Sequence, residues 1–140
     1  MMMPKQPITV QTPVHAPLQK VWELWTDPQA VMAWNYASDD WHTPSATNDL
    51  RVGGEFHYRM AARDGSFSFD FTGVYTEVIP ETKIAYALGD ARNVSVEFQK
   101  HGDAVLVTET FDPEETNPIE MQREGWQAIL DHFKKHAENR

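Results

Sequence analysis

A carboxylate stands among apolar side chains near the end of the last predicted strand. Glu109 follows the same alternation as Val107 and Phe111 and is therefore expected to face the interior of the protein. A carboxylate held there has a raised pKa or a polar partner, and it could act as an acid, a base or a hydrogen-bonding anchor for a ligand. The alternative, which its position near a strand end favours, is that Glu109 reaches solvent at the mouth of a cavity.

A second group of potentially reactive side chains lies in a polar segment of the chain. The run Ser38-Asp39-Asp40-Trp41-His42 combines carboxylates, an aromatic ring and an imidazole. As a loop over a cavity it could supply catalytic groups, because loops often carry them. The simpler interpretation, which we favour, is a solvated connection with Trp41 tucked into the core.

Two histidines near the end of the chain have a spacing that can chelate a metal. His132 and His136 stand one helical turn apart, but no acidic residue lies between them as in the metalloproteases. We interpret them as surface residues and predict no metal site. The sequence also lacks a Gly-x-Ser-x-Gly elbow, a P-loop and a Gly-x-Gly-x-x-Gly fingerprint. We therefore predict no catalytic residue and no cofactor.

The start of the chain predicts one strand and two short helices. Residues 1–7 are interpreted as a disordered lead-in with little to bury, and residues 8–14 alternate as a first strand. Pro17 fits the first position of a helix, where its missing N–H costs nothing. Asp27 is predicted to cap a second short helix that begins at Pro28.

The middle of the chain predicts an antiparallel meander with one buried face. Residues 35–48 are interpreted as a loop that folds back over an apolar surface, and alternating segments joined by short turns follow it. The alternation changes parity near Gly73, where we expect a β-bulge, with Val74 and Val78 as the inward residues beyond it. The aromatic residues assigned to the inner face are Phe56, Tyr58, Phe67, Phe69, Phe71, Tyr86 and Phe98.

A long amphipathic helix is predicted at the end of the chain. Asn117 is expected to cap it, with Pro118 in its first position and Glu120 in its third. Its apolar stripe needs a partner surface, and the curved sheet is the only large one available. Because one helix does not fill a wide curved sheet, an apolar cavity is expected between the two. The stripe consists of Trp126, Ile129, Leu130, Phe133 and Ala137.

Length and composition bound the class of protein. The 140 residues are enough for one domain, which we assign to residues 8–140. A formal net charge of −9 disfavours nucleic acid and anionic lipid as partners. The sequence has no cysteine and no segment typical of a signal peptide or a membrane span. We therefore expect a cytoplasmic protein without disulfides.

Several motifs together resemble one known family. They are the stretch from Ala16-Pro17 through Val21-Trp22 to Trp25-Thr26-Asp27-Pro28, then Trp34, then Asp49-Leu50-Arg51-Val52-Gly53-Gly54-Glu55-Phe56, and then Gly73 with Glu77-Val78-Ile79-Pro80, followed by Gly125-Trp126 and Leu130. With these motifs the chain resembles the START-like superfamily, which includes the major birch-pollen allergen and polyketide cyclases. Within it, the chain is most similar to the family named after the activator of the ninety-kilodalton heat-shock-protein ATPase. The resemblance implies an α+β helix-grip fold, in which a curved antiparallel sheet wraps around a long C-terminal helix and two short helices follow the first strand.

We predict that the chain binds a small apolar or amphipathic molecule between sheet and helix, without catalysis. Tyr58, Tyr86 and Glu109 would orient the ligand. One alternative, implied by the resemblance, is a chaperone partner whose ATPase the chain stimulates as part of a stress response. Another is an enzyme resembling a cyclase or hydratase, with Glu109 or His42 as the acid or base. The predicted ligand-binding residues are Trp34, Trp41, Phe56, Tyr58, Phe67, Phe69, Phe71, Tyr86, Phe98, Glu109 and Trp126.

Overall fold

The computed structural model describes residues 6–139 of the chain. Most of the predicted lead-in, residues 1–5, lies outside the described residues. Gln6 and Pro7 are exposed and belong to no helix or strand. None of the helices within residues 6–139 combines the length and the apolar character that crossing a membrane requires.

Seven antiparallel strands form one curled sheet. The strands are β1 (Ile8–Val14), β2 (Trp41–Asn48), β3 (Glu55–Ala62), β4 (Ser68–Ile79), β5 (Lys83–Leu88), β6 (Asn93–His101) and β7 (Ala104–Phe111). Strands β2 to β7 pair in chain order, and β1 returns to pair with β7, so the order across the sheet is β1-β7-β6-β5-β4-β3-β2. Burial alternates along β1 and β6, which gives the sheet one inner face.

Three helices cover the inner face of this sheet. They are α1 (Leu18–Thr26), α2 (Pro28–Trp34) and the long α3 (Ile119–Glu138). The predicted cap of α2 is confirmed, because the Asp27 carboxylate accepts a hydrogen bond from the backbone N–H of Gln29 at 3.2 Å. Leu130 and Phe133 of α3 are fully buried in the core. These elements confirm the predicted α+β helix-grip fold.

The start of α3 differs from the predicted cap. Pro118, with extended backbone, precedes the first helical residue, and no side chain caps the helix. The Asn117 carbonyl instead accepts a hydrogen bond from the buried side-chain amide of Gln122 at 2.8 Å. The Glu114 carboxylate accepts the backbone N–H groups of Thr116 and Asn117. The turn before the helix is therefore held by side chains that lie outside the predicted capping pattern.

The segment predicted as a loop at 35–48 is wrong in its second half, because residues 41–48 form the edge strand β2. Its sequence carries no apolar alternation, because neither face of this strand is buried and Thr43 is the one buried residue among residues 41–48. Pro44 lacks an N–H and lies where the register with β3 shifts between His42 and Ser45, a place where an edge strand tolerates proline. Thr43 is buried, and its hydroxyl donates to the Asn35 carbonyl at 2.6 Å.

The β-bulge predicted at Gly73 is also wrong in its position. The inward parity of Phe71 continues through Gly73 to the buried Tyr75, and the register with β5 shifts between Tyr75 and Glu77. Val74 therefore points outward and is 39% exposed, which corrects its inward assignment. Glycine occupies position 73 for another reason, because the Phe56 ring lies directly over its backbone.

Replacing Gly73 by alanine is expected to lower the free energy of unfolding by about 1–3 kcal/mol, the range for overpacked sites. A Cβ at this position would lie 2.5 Å from a ring carbon of Phe56, whose ring is buried and has little room to retreat. Urea denaturation measures the change. Gly89→Ala is the control, because a Cβ at Gly89 meets nothing within 4 Å. Equal stability of the two variants would contradict the prediction.

Candidate functional site

A cavity of about 550 Å³ lies between the inner face of the sheet and α3. Helix α3 packs mainly against β1, α1 and α2. The helix therefore leaves space over the inner face of β3 to β5. Across this space the side chain of Trp126 on α3 reaches Phe71 of β4, with ring centres 6.2 Å apart. A helix is narrower than a seven-stranded sheet, and the space left over is of the size that small-molecule sites have.

Most of the predicted ligand-binding residues line this cavity, and their rings pack on one another. Trp126 stacks on Phe111 with ring centres 3.9 Å apart, which fixes its orientation under the cavity. Phe56 contacts Tyr58, Phe71 and Tyr86 at ring separations between 4.7 and 5.6 Å. The predicted residues found in the lining are Trp34, Trp41, Phe56, Tyr58, Phe69, Phe71, Tyr86, Glu109 and Trp126.

Phe67 and Phe98 are not part of the lining. Phe98 is buried, but it packs edge-on against Trp22 and Trp25 of α1, which covers this end of β6. Phe67 is 59% exposed, and its predicted inward orientation is wrong. It precedes the first residue of β4 and belongs to the hairpin turn, where strand alternation does not apply. Phe69, 41% exposed, lies at the rim of the cavity.

The Glu109 side chain is only 5% exposed and opens on the cavity. The inner face of β7 presents it between Val10 of β1 and Val96 of β6, its partners in register. The interpretation that it reaches solvent is therefore wrong. Burial raises the pKa of Glu109 to about 8, and no hydrogen bond or ion pair to its carboxyl occurs within residues 6–139. At neutral pH the side chain is an uncharged carboxylic acid.

Three tyrosines from neighbouring strands also face the cavity. The Tyr75 hydroxyl donates to the Asn48 side chain at 2.6 Å and accepts a hydrogen bond from Tyr58. Asn48 in turn donates to the Thr26 carbonyl at 2.7 Å, which ties this chain of bonds to α1. Burial raises the pKa of Tyr75 to about 12. The hydroxyls of Tyr58 and Tyr75 are thus already engaged.

The hydroxyl of Tyr86 is in a different state. Burial, and then the proximity of Glu109, raises the pKa of Tyr86 well above its ordinary value. Within the described part of the chain this hydroxyl has no hydrogen-bond partner. Tyr86 and Glu109 are therefore neighbouring uncharged hydrogen-bond donors in the cavity wall.

Sequence reasoning missed several lining residues, of which Tyr75 is the most informative. The misplaced bulge assigned it to the outer face, although unbroken alternation through Phe69, Phe71 and Gly73 would have placed it inside. Met121 and Arg92 were missed because they lie at the rim and outside regular patterns. Met121 is 57% exposed. Arg92 is paired with Asp90, its Nε lying 2.7 Å from the carboxylate.

The other groups of potentially reactive side chains, in residues 38–42 and near the end of the chain, have structural roles. Ser38 and Trp41 line the cavity, while Asp39 and Asp40 are exposed, and the Ser38 hydroxyl donates to Asp40 at 2.6 Å. The interpretation of His132 as a surface residue is corrected, because it is half-buried, stacks on the Tyr36 ring with centres 4.1 Å apart, and its Nδ1 lies 2.6 Å from the Tyr36 carbonyl oxygen. The structure groups no histidines and carboxylates into a metal-binding cluster within residues 6–139.

Comparison with known proteins gives a consistent result. The model of the family described as "Activator of Hsp90 ATPase homolog 1-like protein" matches residues 15–138. No curated protein matches the chain. A protein from Chromobacterium violaceum is 20% identical with a TM-score of 0.84, covering 97% of this chain and 100% of its own, which shows the fold alone.

Two solved structures are similar in sequence as well as in fold. The AHSA1-like protein from Aeromonas hydrophila is 42% identical, with a TM-score of 0.89, and the match covers 94% of this chain and 92% of that one. A protein from Cytophaga hutchinsonii is 51% identical, with a TM-score of 0.83, and the match covers 95% and 92%. The chain therefore belongs to the family of activator of Hsp90 ATPase homolog 1-like proteins.

Proposed function

We propose that this chain binds a small, largely apolar molecule in the cavity between the sheet and α3 and does not transform it. The observation that carries the proposal is a cavity of about 550 Å³ walled by aromatic rings, with the carboxyl of Glu109 buried in its wall. Binding there removes apolar surface from water, which supplies about 25 cal/mol for each Å² buried. The Glu109 carboxyl and the Tyr86 hydroxyl would orient the molecule.

A glycine in α3 supports this proposal. Gly125 lines the cavity in the interior of the helix, and a Cβ there would meet nothing within 4 Å. Glycine costs a helix about 0.5–1 kcal/mol relative to alanine. Packing therefore gives no reason for a glycine here, whereas a role in keeping the volume open does.

Filling the cavity from this position tests the proposal. We expect Gly125→Phe to weaken binding of N-phenyl-1-naphthylamine, an uncharged fluorescent probe, at least tenfold, since the new ring occupies the volume beside Trp126. Fluorescence titration measures the affinity, and circular dichroism checks the fold. Glu124→Phe adds the same ring at an exposed neighbouring position and is expected to bind as the unaltered protein does. Equal affinity of both variants, or no binding by the unaltered protein, would overturn the proposal.

A catalytic role for the same carboxyl is the second candidate, because a group that keeps its proton at neutral pH can serve as a general acid. Native mass spectrometry of the purified protein identifies a co-purifying molecule, which is then incubated with fresh protein. Under our proposal the molecule is recovered unchanged. A product formed by the unaltered protein and not by Glu109→Gln would support the enzyme.

The chaperone role implied by the resemblance stays a prediction. It is tested by measuring ATP turnover of the bacterial ninety-kilodalton heat-shock protein with and without this chain. A concentration-dependent rise in turnover would support it, and an unchanged rate would remove it. This assay is independent of the cavity, so it separates the two functions.

A further inference from the structure

Within residues 6–139 the carboxyl of Glu109 has no hydrogen-bond partner, although the residue is only 5% exposed and lines the cavity. Buried polar groups are almost always hydrogen-bonded, because an unmade bond leaves the cost of desolvation uncompensated. The neighbouring positions in register, Val10 and Val96, offer no polar side chain. From α3, Trp126 and Ile129 line the same cavity, and the side-chain amide of Gln122 donates instead to the backbone carbonyls of Glu114 and Asn117. The remaining polar neighbour, the Tyr86 hydroxyl, is close enough to Glu109 to affect its own pKa but is not hydrogen-bonded to it. The carboxyl is therefore free to form its hydrogen bond into the cavity.

We propose, on the basis of the ligand-binding function above, that the ligand is uncharged and carries a carbonyl oxygen that enters first and accepts a hydrogen bond from Glu109. The apolar remainder of the ligand then lies against the aromatic walls. Ketones, esters and amides have this chemistry.

The charges around the cavity argue against an anionic ligand. Arg92 is the one Lys or Arg among the lining residues of the described part of the chain, and it is paired with Asp90 at the rim. The other ionisable lining groups are Glu114 at the rim and the tyrosines Tyr58, Tyr75 and Tyr86. A carboxylate beside Glu109 would thus be desolvated without a cation facing it, which is strongly unfavourable.

Three matched probes test this inference by displacement of N-phenyl-1-naphthylamine at pH 7. They share a naphthalene ring and differ in one substituent: 2-acetonaphthone is a ketone, 2-ethylnaphthalene a hydrocarbon and 2-naphthoate an anion. We expect the ketone to bind about tenfold more tightly than the hydrocarbon, in keeping with one added hydrogen bond. The anion is expected to bind at least tenfold more weakly than the ketone.

Variants and pH identify the donor. Glu109→Gln keeps an N–H donor and should retain the preference for the ketone, whereas Glu109→Leu should lose it and still bind the hydrocarbon. Between pH 7 and pH 10 the preference should disappear in the unaltered protein, whose carboxyl ionises, and persist in Glu109→Gln.

The outcomes separate this inference from the function on which it depends. If the dye binds but the ketone has no advantage over the hydrocarbon, or Glu109→Leu retains that advantage, the carbonyl inference fails and ligand binding stands. Preferred binding of the anion likewise overturns the inference, and would point to Arg92 at the rim. If neither dye nor probes bind, both proposals fail.

Discussion

Replacing Glu109 by glutamine is expected to remove a large pH dependence of stability. The pKa of Glu109 is raised to about 8 in the folded protein, from an ordinary value of 4.5, because burial disfavours its charged form. Below pH 4.5 both states hold the proton. Between pH 4.5 and 8 the unfolded chain loses it while the folded protein keeps it, so the free energy of unfolding falls by about 1.4 kcal/mol for each pH unit.

The test is urea denaturation of both proteins from pH 4 to pH 9. Relative to the unaltered protein, Glu109→Gln should gain stability as the pH rises, with the gain levelling off above pH 8. Glu97→Gln, on the exposed face of β6, is the matched control and should show no such divergence. Carbon-detected NMR titration of the Glu109 carboxyl gives the pKa directly. Parallel stability curves for all three proteins would contradict the burial of Glu109.

Replacing Phe133 by alanine is expected to lower the free energy of unfolding by about 3–5 kcal/mol, the usual cost of truncating a buried phenylalanine. Phe133 is fully buried on α3. Its ring contacts Trp25 of α1 and Trp34 of α2 edge-on, with ring centres 4.8 and 4.9 Å apart. It is therefore the point at which all three helices meet.

Phe67→Ala is the matched control for this prediction, since it removes the same ring from a site that is 59% exposed. We expect it to change stability by less than about 1 kcal/mol. Chemical denaturation followed by tryptophan fluorescence compares the two variants. A similar loss in both would show that α3 does not pack against α1 and α2 through Phe133.

The spacing of apolar residues along the sequence predicted the helices and strands that have one buried face. The alternation around Val94, Val96 and Phe98 predicted β6, and the stripe through Leu130 and Phe133 predicted α3. It failed at β2, because this strand has no buried face to require apolar residues and its unpaired edge tolerates Pro44. It failed again beyond Gly73, where a glycine that fits beneath Phe56 was interpreted as a bulge.

The sequence by itself predicted most of the strands, the long terminal helix and an inward parity for Glu109 and most of the cavity aromatics, because side-chain periodicity is a property of neighbouring residues. The helix-grip arrangement of these elements was implied by the motifs that the chain shares with its family. Only the tertiary structure decided how deeply each of these side chains is buried and which element packs over it. Phe98 is covered by α1 whereas Phe71 faces the cavity, and the buried Glu109 carboxyl has no hydrogen-bond partner among the residues that the structure describes. Periodicity predicts which side chains share one face of a strand, but the elements that pack over that face come from distant parts of the chain.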